Sequence, residues 1–316
     1  MLGLGYDGQL FILAFDHRGS FQKKFFGVEG APNAEQTTKI VDAKTVIFEG
    51  FQAALSAGVD RAAAGVLVDE QFGADIAKRE KEQGLILAMP VEKSGQDEFD
   101  FEYGGDFGTH IETNDPKFSK VLVRYNPEGD GAMNGRQAAK LQQLSDWLHH
   151  HERKFLFELL VPAEQHQLET VAGDTARFDT ELRPGLMRVA ISELQASGVE
   201  PDIWKIEGIN ARDDCAMIAD QCRVAGRDQV ACIVLGRGAD TAQVDRWLEA
   251  GSGVPGYIGF AIGRSIWWDA LKAYVDGSSP RGSTTAQIGA NYKRFVDVYQ
   301  GRQATPAAPT PTTPTA

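Results

Sequence analysis

Cysteine is almost missing from this chain. Among 316 residues there are three, Cys215, Cys222 and Cys232, and no two stand in a CxxC spacing. That excludes a disulfide framework and argues against a structural zinc site; the sequence reads as carrying reduced thiols of a cytoplasmic protein. Basic residues are also short. Lys and Arg number 32 against 44 Asp and Glu, a net charge of −12, which disfavours nucleic acid as a partner. No apolar run approaches the roughly 20 residues that cross a bilayer, so no membrane association is expected. The opening segment MLGLGYDGQLFILAFDHR has no basic n-region, and no signal peptide is predicted. Histidine is scarce, six in all, and no pair falls at predicted strand ends, so neither a catalytic metal nor another cofactor is expected. The run His149-His150-His151 does not change this. Consecutive helical residues point about 100° apart, and a helix C-terminus favours partial positive charge there.

What is present is an ordinary globular composition, 42% hydrophobic and 24% charged, with a repeating order. Eight short apolar or β-rich runs occur: 9–16, 64–69, 85–91, 120–125, 155–161, 201–210 (PDIWKIEGIN), 230–235 and 257–262. Helical patterns follow most of them, at about 33–56, 74–83, 134–150, 213–225, 241–250 and 265–275, with a further helix near 285–299. Residues 17–19 read as a loop, and 92–114 as a long loop with short strands. Strand then helix, eight times over, predicts a parallel sheet closed into an α/β (β/α)8 TIM barrel. Residues 1–301 form one domain with an extra C-terminal helix. Residues 302–316, rich in Pro, Thr and Ala, read as a disordered tail. An acidic barrel with an added terminal helix is a candidate for homo-oligomerisation.

In that fold the active site lies at the C-terminal ends of the strands. The polar residues there are Asp16, His17, Arg18, Asp69, Glu70, Glu92, Arg124, Asn126, Glu158, Lys205, Glu207, Gly236-Arg237-Gly238 and Gly263-Arg264, with Lys120 on the same strand face as Leu122 and Arg124. Alternation puts Ile203, Lys205 and Glu207 on one face of their strand and Trp204 and Ile206 on the other. A lysine directed into a strand-lined core is costly to keep charged, and a neutral amine attacks carbonyls, which suits Schiff-base chemistry. Glu158, inside FLFELLV, is the carboxylate for proton transfer, or else a structural partner of Lys120 or Lys205. Asp16 follows a wholly apolar strand and is read as a ligand of a substrate hydroxyl or as a cap. The two Gly-Arg turns at strands seven and eight form an anion cradle, because glycine lets backbone N–H groups approach a phosphate and arginine adds a fork of donors. Trp267-Trp268 is read as packing.

The motifs ILAFDHRGS, GVLVDEQFG, KVLVRYNPEGD, FLFELLVPA, PDIWKIEG, VLGRGA and GFAIGRSIWWDAL resemble the aldolase-like domain found C-terminal to the sugar kinase of bacterial inositol catabolism. That domain is similar to the class I tagatose-1,6-bisphosphate aldolases. The resemblance covers about residues 8–300. It implies a Schiff-base lysine at Lys205, with Glu158, Asp16 and Lys120 as catalytic partners, and a phosphate site at Gly263-Arg264. His17 and Arg124 depart from the tagatose-bisphosphate pattern. They are expected to add donors opposite the phosphate end, where they or Arg18 would hold a carboxylate. The substrate so implied is phosphorylated, 5-dehydro-2-deoxy-D-gluconate 6-phosphate first. A sulfofructose 1-phosphate and a tagatose or fructose bisphosphate are rivals, and a non-catalytic sugar-phosphate-binding module is the reading of another class. Asp69 completes the expected substrate-binding set.

Overall fold

The computed structural model describes residues 3–302; the Pro/Thr tail lies outside them but for Arg302. Among the described residues, eight parallel strands close on themselves in sequence order. In chain order the elements are β1 (Leu10–Ala14), α1 (Gly19–Phe26), α2 (Ala34–Ser56), β2 (Ala64–Leu67), α3 (Glu70–Glu82), β3 (Ile86–Pro90), α4 (Phe107–Asn114), β4 (Phe118–Arg124), α5 (Gly131–His150) and β5 (Lys154–Leu160). The second half runs α6 (Gln165–Thr170), α7 (Thr175–Arg177), α8 (Arg183–Ala196), β6 (Ile203–Glu207), α9 (Arg212–Arg223), β7 (Ala231–Leu235), α10 (Thr241–Gly251), β8 (Tyr257–Ile262), α11 (Arg264–Val275) and α12 (Arg281–Tyr299). No described helix is long and apolar enough to cross a membrane.

Each strand splits its side chains between two environments, as a period of two requires. Leu10, Ile12, Leu67, Phe118, Leu156, Ile203 and Ile233 fill the barrel interior. Phe11, Leu13, Val121, Phe157, Trp204, Ile206, Val234 and Phe260 pack outward under the helices. The interior is therefore a packed floor, and the charged groups of the cavity stand above it, at the strands' C-terminal ends. Outside, the phenol of Tyr292 on α12 donates to the Phe11 carbonyl at 2.6 Å, fixing the terminal helix to β1 beside α2.

Several predicted boundaries move for identifiable reasons. Residues 19–26 are helix α1, which Arg18 begins without a side-chain cap, so no capping residue announces it. Helix α3 starts at Glu70 because the Asp69 carboxylate caps it by accepting from the Phe72 N–H. The stretch after β3 carries one antiparallel bridge, Glu92 to Phe101, and then α4. The turn between α7 and α8 is a π-helix, Phe178–Leu182, a form concentrated at functional sites.

Candidate active site

Strand pairing sets Glu158 of β5 level with Lys205 of β6. Both point inward, and the Lys205 Nζ lies 2.9 Å from Glu158 Oε2. Lys120 sits one inward position lower, since Glu158 pairs with Leu122 and Lys120 with Leu156. Its four-carbon stem spans that step, and its Nζ meets Glu92 Oε1 at 2.7 Å, Asp16 Oδ2 at 2.9 Å and Glu158 Oε2 at 3.0 Å. Asp16 is thus an ion-pair acceptor and caps no helix. These side chains form one buried network of three carboxylates and two amines.

The protonation pattern follows from that geometry. Burial pushes Asp16 up, but Lys120, His17 and Lys205 outweigh it and hold its carboxyl well below the usual range. Burial likewise opposes the charged form of Glu158, and Lys120 and Lys205 overcome it, leaving the group lowered. Burial disfavours a charged Lys120; its three carboxylates reverse this and raise it well above an ordinary lysine. Glu92 goes the other way. Burial dominates, Asp16 adds repulsion, and Lys120 does not compensate, so its carboxyl is raised.

Above the network opens a cavity of about 610 Å³ lined from β1, β3, β4, β5, β6, β7 and β8. One side carries the two Gly-Arg turns. Arg237 has φ 49° and Gly238 φ 72°, both left-handed, and a methyl group on Gly238 would fall 2.8 Å from the Arg264 guanidinium carbon. Glycine at 238 therefore serves both the turn and the approach of Arg264. The Arg264 guanidinium donates to the Arg237 carbonyl at 3.2 Å. Arg237 itself is held by Asp179 at 2.9 Å and Glu207 at 3.0 Å. Across the cavity, Arg124 donates to the Gln96 carbonyl at 2.8 Å, beside Lys93 and Ser94.

Three expected ligands stand differently. Asp69 is wholly buried against Lys44, with which it pairs; as the cap of α3 it does not face the cavity. Arg18 lines the cavity, but its guanidinium is engaged by Glu102 Oε2 at 2.8 Å and the Glu92 carbonyl at 2.6 Å, so it braces the loop after β3. His17 lies beside Gly263, whose added methyl would come 3.4 Å from the imidazole Cε1, and its ring meets Trp267 edge-on. Closure of β1 onto β8 thus puts His17 on the Arg264 side, not opposite it. Burial, with Arg264 and Lys44 adding to it, lowers His17 to about 4 although Asp16 opposes; the imidazole is neutral at pH 7, and its Nδ1 has no protein partner. Two residues that the strand ends suggested without a role, Glu92 and Glu207, line the cavity.

The family model described as "uncharacterized protein conserved in bacteria (DUF2090)" matches residues 6–303. The chain belongs to that family. No curated protein matches the sequence. Among solved structures, this DUF2090 member is similar to Cgl0159 from Corynebacterium glutamicum, with a TM-score of 0.58 and 15% identity over 93% of this chain and 87% of that one. It is also similar to a fructose-bisphosphate aldolase from Slackia heliotrinireducens, with a TM-score of 0.55 and 13% identity over 93% and 86%. At these identities the likeness speaks to the barrel alone.

Proposed function

We propose that this DUF2090 member is a class I aldolase. It would cleave a phosphorylated keto-sugar or keto-sugar acid to dihydroxyacetone phosphate and an aldehyde. The observation that carries the reading is an inward Lys205 amine 2.9 Å from a buried Glu158 carboxylate, under a cavity with arginines at its edge. The aldolase-like fold supports it.

The chemistry follows from proton positions. Lys205 passes a proton to Glu158, and the freed amine attacks the substrate ketone. Glu158 returns that proton to the carbinolamine hydroxyl, which leaves as water, and a protonated imine remains on Lys205. Glu158 then takes the proton of the hydroxyl two carbons from the imine. The C–C bond breaks, its electron pair flows into the iminium, and the aldehyde leaves. The enamine carbon is reprotonated, and water releases dihydroxyacetone phosphate with the free amine. Lys120 keeps Asp16 and Glu158 ionised, and Asp16 accepts from a substrate hydroxyl. Arg264, Arg237 and the glycines at 236, 238 and 263 receive the phosphate.

The substrate read first is 5-dehydro-2-deoxy-D-gluconate 6-phosphate. Its ketone adjoins the phosphate-bearing carbon, and its far end is a carboxylate that Arg124 would hold. The test is release of dihydroxyacetone phosphate in a coupled assay from this compound, 6-deoxy-6-sulfofructose 1-phosphate and tagatose and fructose bisphosphates. Borohydride trapping runs in parallel. Cleavage with a mass adduct on Lys205 is the expected result. Tight binding with neither adduct nor cleavage refutes the enzyme and leaves a binding module.

A further inference from the structure

Glu92 stands apart from the other carboxylates of the network. One oxygen accepts from Lys120; the other, Oε2, is buried with no partner, although the residue lines the cavity and is 8% exposed. A buried polar oxygen without a partner is costly, and the residue that carries it stands in the wall of the substrate cavity.

Charge decides what this oxygen offers. Asp16, Glu92 and Glu158 face Lys120 and Lys205. Three ionised carboxylates against two ammonium groups leave one uncompensated negative charge in a buried cluster. A proton on Glu92 makes the cluster neutral. The other charged groups facing it do not alter this: Arg18 meets its carbonyl and is neutralised by Glu102, and Lys93 is an exposed chain neighbour. Glu92 leaves β3, on the Arg124 side and away from the Gly-Arg turns of β7 and β8. With phosphate at those turns and the ketone on Lys205, the part of the substrate that reaches Glu92 is the half released as aldehyde.

We infer that Glu92 is a substrate-contacting residue that selects an anionic aldehyde half, its Oε2 donating as a neutral acid to an anionic oxygen beside Arg124. This rests on the aldolase reading and extends it. Like two carboxyl groups sharing a site, the acid and the anion hold one proton between them.

The experiment runs the reaction in the condensation direction, dihydroxyacetone phosphate with malonate semialdehyde, sulfolactaldehyde or glyceraldehyde 3-phosphate, from pH 5.5 to 9. Unaltered protein is compared with Glu92→Gln and Glu92→Ala. KM for the best aldehyde should rise about tenfold with pH in the unaltered protein, as the acid becomes a second anion. Glu92→Gln, which keeps an N–H donor, should lack that rise; the phosphate's own titration is common to both and cancels in their ratio. Glu92→Ala should raise the aldehyde KM at every pH while the KM for dihydroxyacetone phosphate stays within about twofold. If Glu92→Gln keeps the rise, or if the loss falls on kcat or on dihydroxyacetone phosphate, the inference is wrong. Borohydride trapping of Lys205 with dihydroxyacetone phosphate alone separates the two claims. No adduct in the unaltered protein overturns the aldolase reading and this inference with it. An adduct together with an unmoved aldehyde KM, or with condensation of none of the three aldehydes, overturns the Glu92 assignment alone.

Discussion

Replacing Lys120 by Met keeps most of the stem and removes the charge that three buried carboxylates share. At about 3 Å and an effective dielectric near 20, each pair is worth roughly 5 kcal/mol of direct attraction. Desolvation of the groups offsets much of that, and loss of one partner from a buried pair costs about 3–5 kcal/mol in practice. The sign with pH is specific. In the native chain Asp16 and Glu158 are lowered, so their contribution is present above the unfolded carboxylate value, about 4, and fades as pH falls through the folded values. In Lys120→Met the same carboxyls, buried with Lys205 alone, rise above about 4. Folding then takes up protons, and the deficit grows between pH 4 and 7. The two effects add but act in different windows: the variant's penalty opens between pH 4 and 7, while the native contribution is lost only as pH falls below about 4, so the gap should be largest near pH 7.5 and narrow, without closing, by pH 4. Urea unfolding at pH 7.5, 5.5 and 4 reads this directly, expecting a gap of about 3–5 kcal/mol at pH 7.5 that narrows measurably by pH 4. A gap independent of pH, or native stability at pH 7.5, would show that the three carboxylates do not depend on this amine.

Other substitutions probe the remaining parts. Arg264→Ala should raise KM for the phosphorylated substrate roughly 10- to 100-fold, the range for one charge-assisted hydrogen-bond partner, and should weaken competition by inorganic phosphate to match. Gly263→Ala should destabilise by about 1–3 kcal/mol in thermal unfolding: its φ of −120° suits any residue, but the new methyl would fall 2.3 Å from the Ala14 carbonyl oxygen. Glu80, buried with both carboxyl oxygens unpartnered, is pushed up to about 8 by burial despite Arg61. A raised carboxyl costs stability progressively as pH climbs from the unfolded value toward the folded one. Glu80→Gln should therefore gain on the order of 1–3 kcal/mol at pH 8.5 and little at pH 5, by chemical denaturation at both.

The barrel was legible because the period-two alternation is strong wherever a strand has a packed inner and outer face. Ile203, Lys205 and Glu207 fell on one side of β6 for that reason, and Glu158 could be singled out because Phe157 and Leu159 flank it. What failed depended on partners remote in sequence. Asp69 ends an apolar strand much as Asp16 does, yet Lys44, 25 residues earlier, turns it away from the cavity. Arg18 lines the cavity as its strand-end position suggests, but its guanidinium is paired with Glu102, 84 residues on. His17 was assigned to the wrong side because closure makes the first and last strands neighbours, and local pattern carries no signal of that. Helix α1 escaped because the residue at its start contributes no side-chain cap.

The cations at the cavity fall into three kinds, and the division bears on where an anion can sit. Lys120, Lys205 and Arg18 are matched by carboxylates inside the wall; their charge is already answered, so they serve chemistry or bracing. Arg264 and Arg124 donate to main-chain carbonyls, which align a guanidinium without cancelling its charge, and each therefore retains attraction for an incoming anion. Arg237 lies between these cases. Its left-handed backbone and its two carboxylates, one on β6 and one on the π-turn, fix its position, and they also oppose a phosphate brought close to it. Within the Gly-Arg pair of turns, then, an incoming anion would be drawn more to Arg264 and the backbone around Gly238 than to Arg237. Arg237 also presents its carbonyl to the Arg264 guanidinium. Charge compensation, more than the number of arginines, sets the polarity of the cavity: anion-accepting at its two rims and nearly neutral over the amine at its floor.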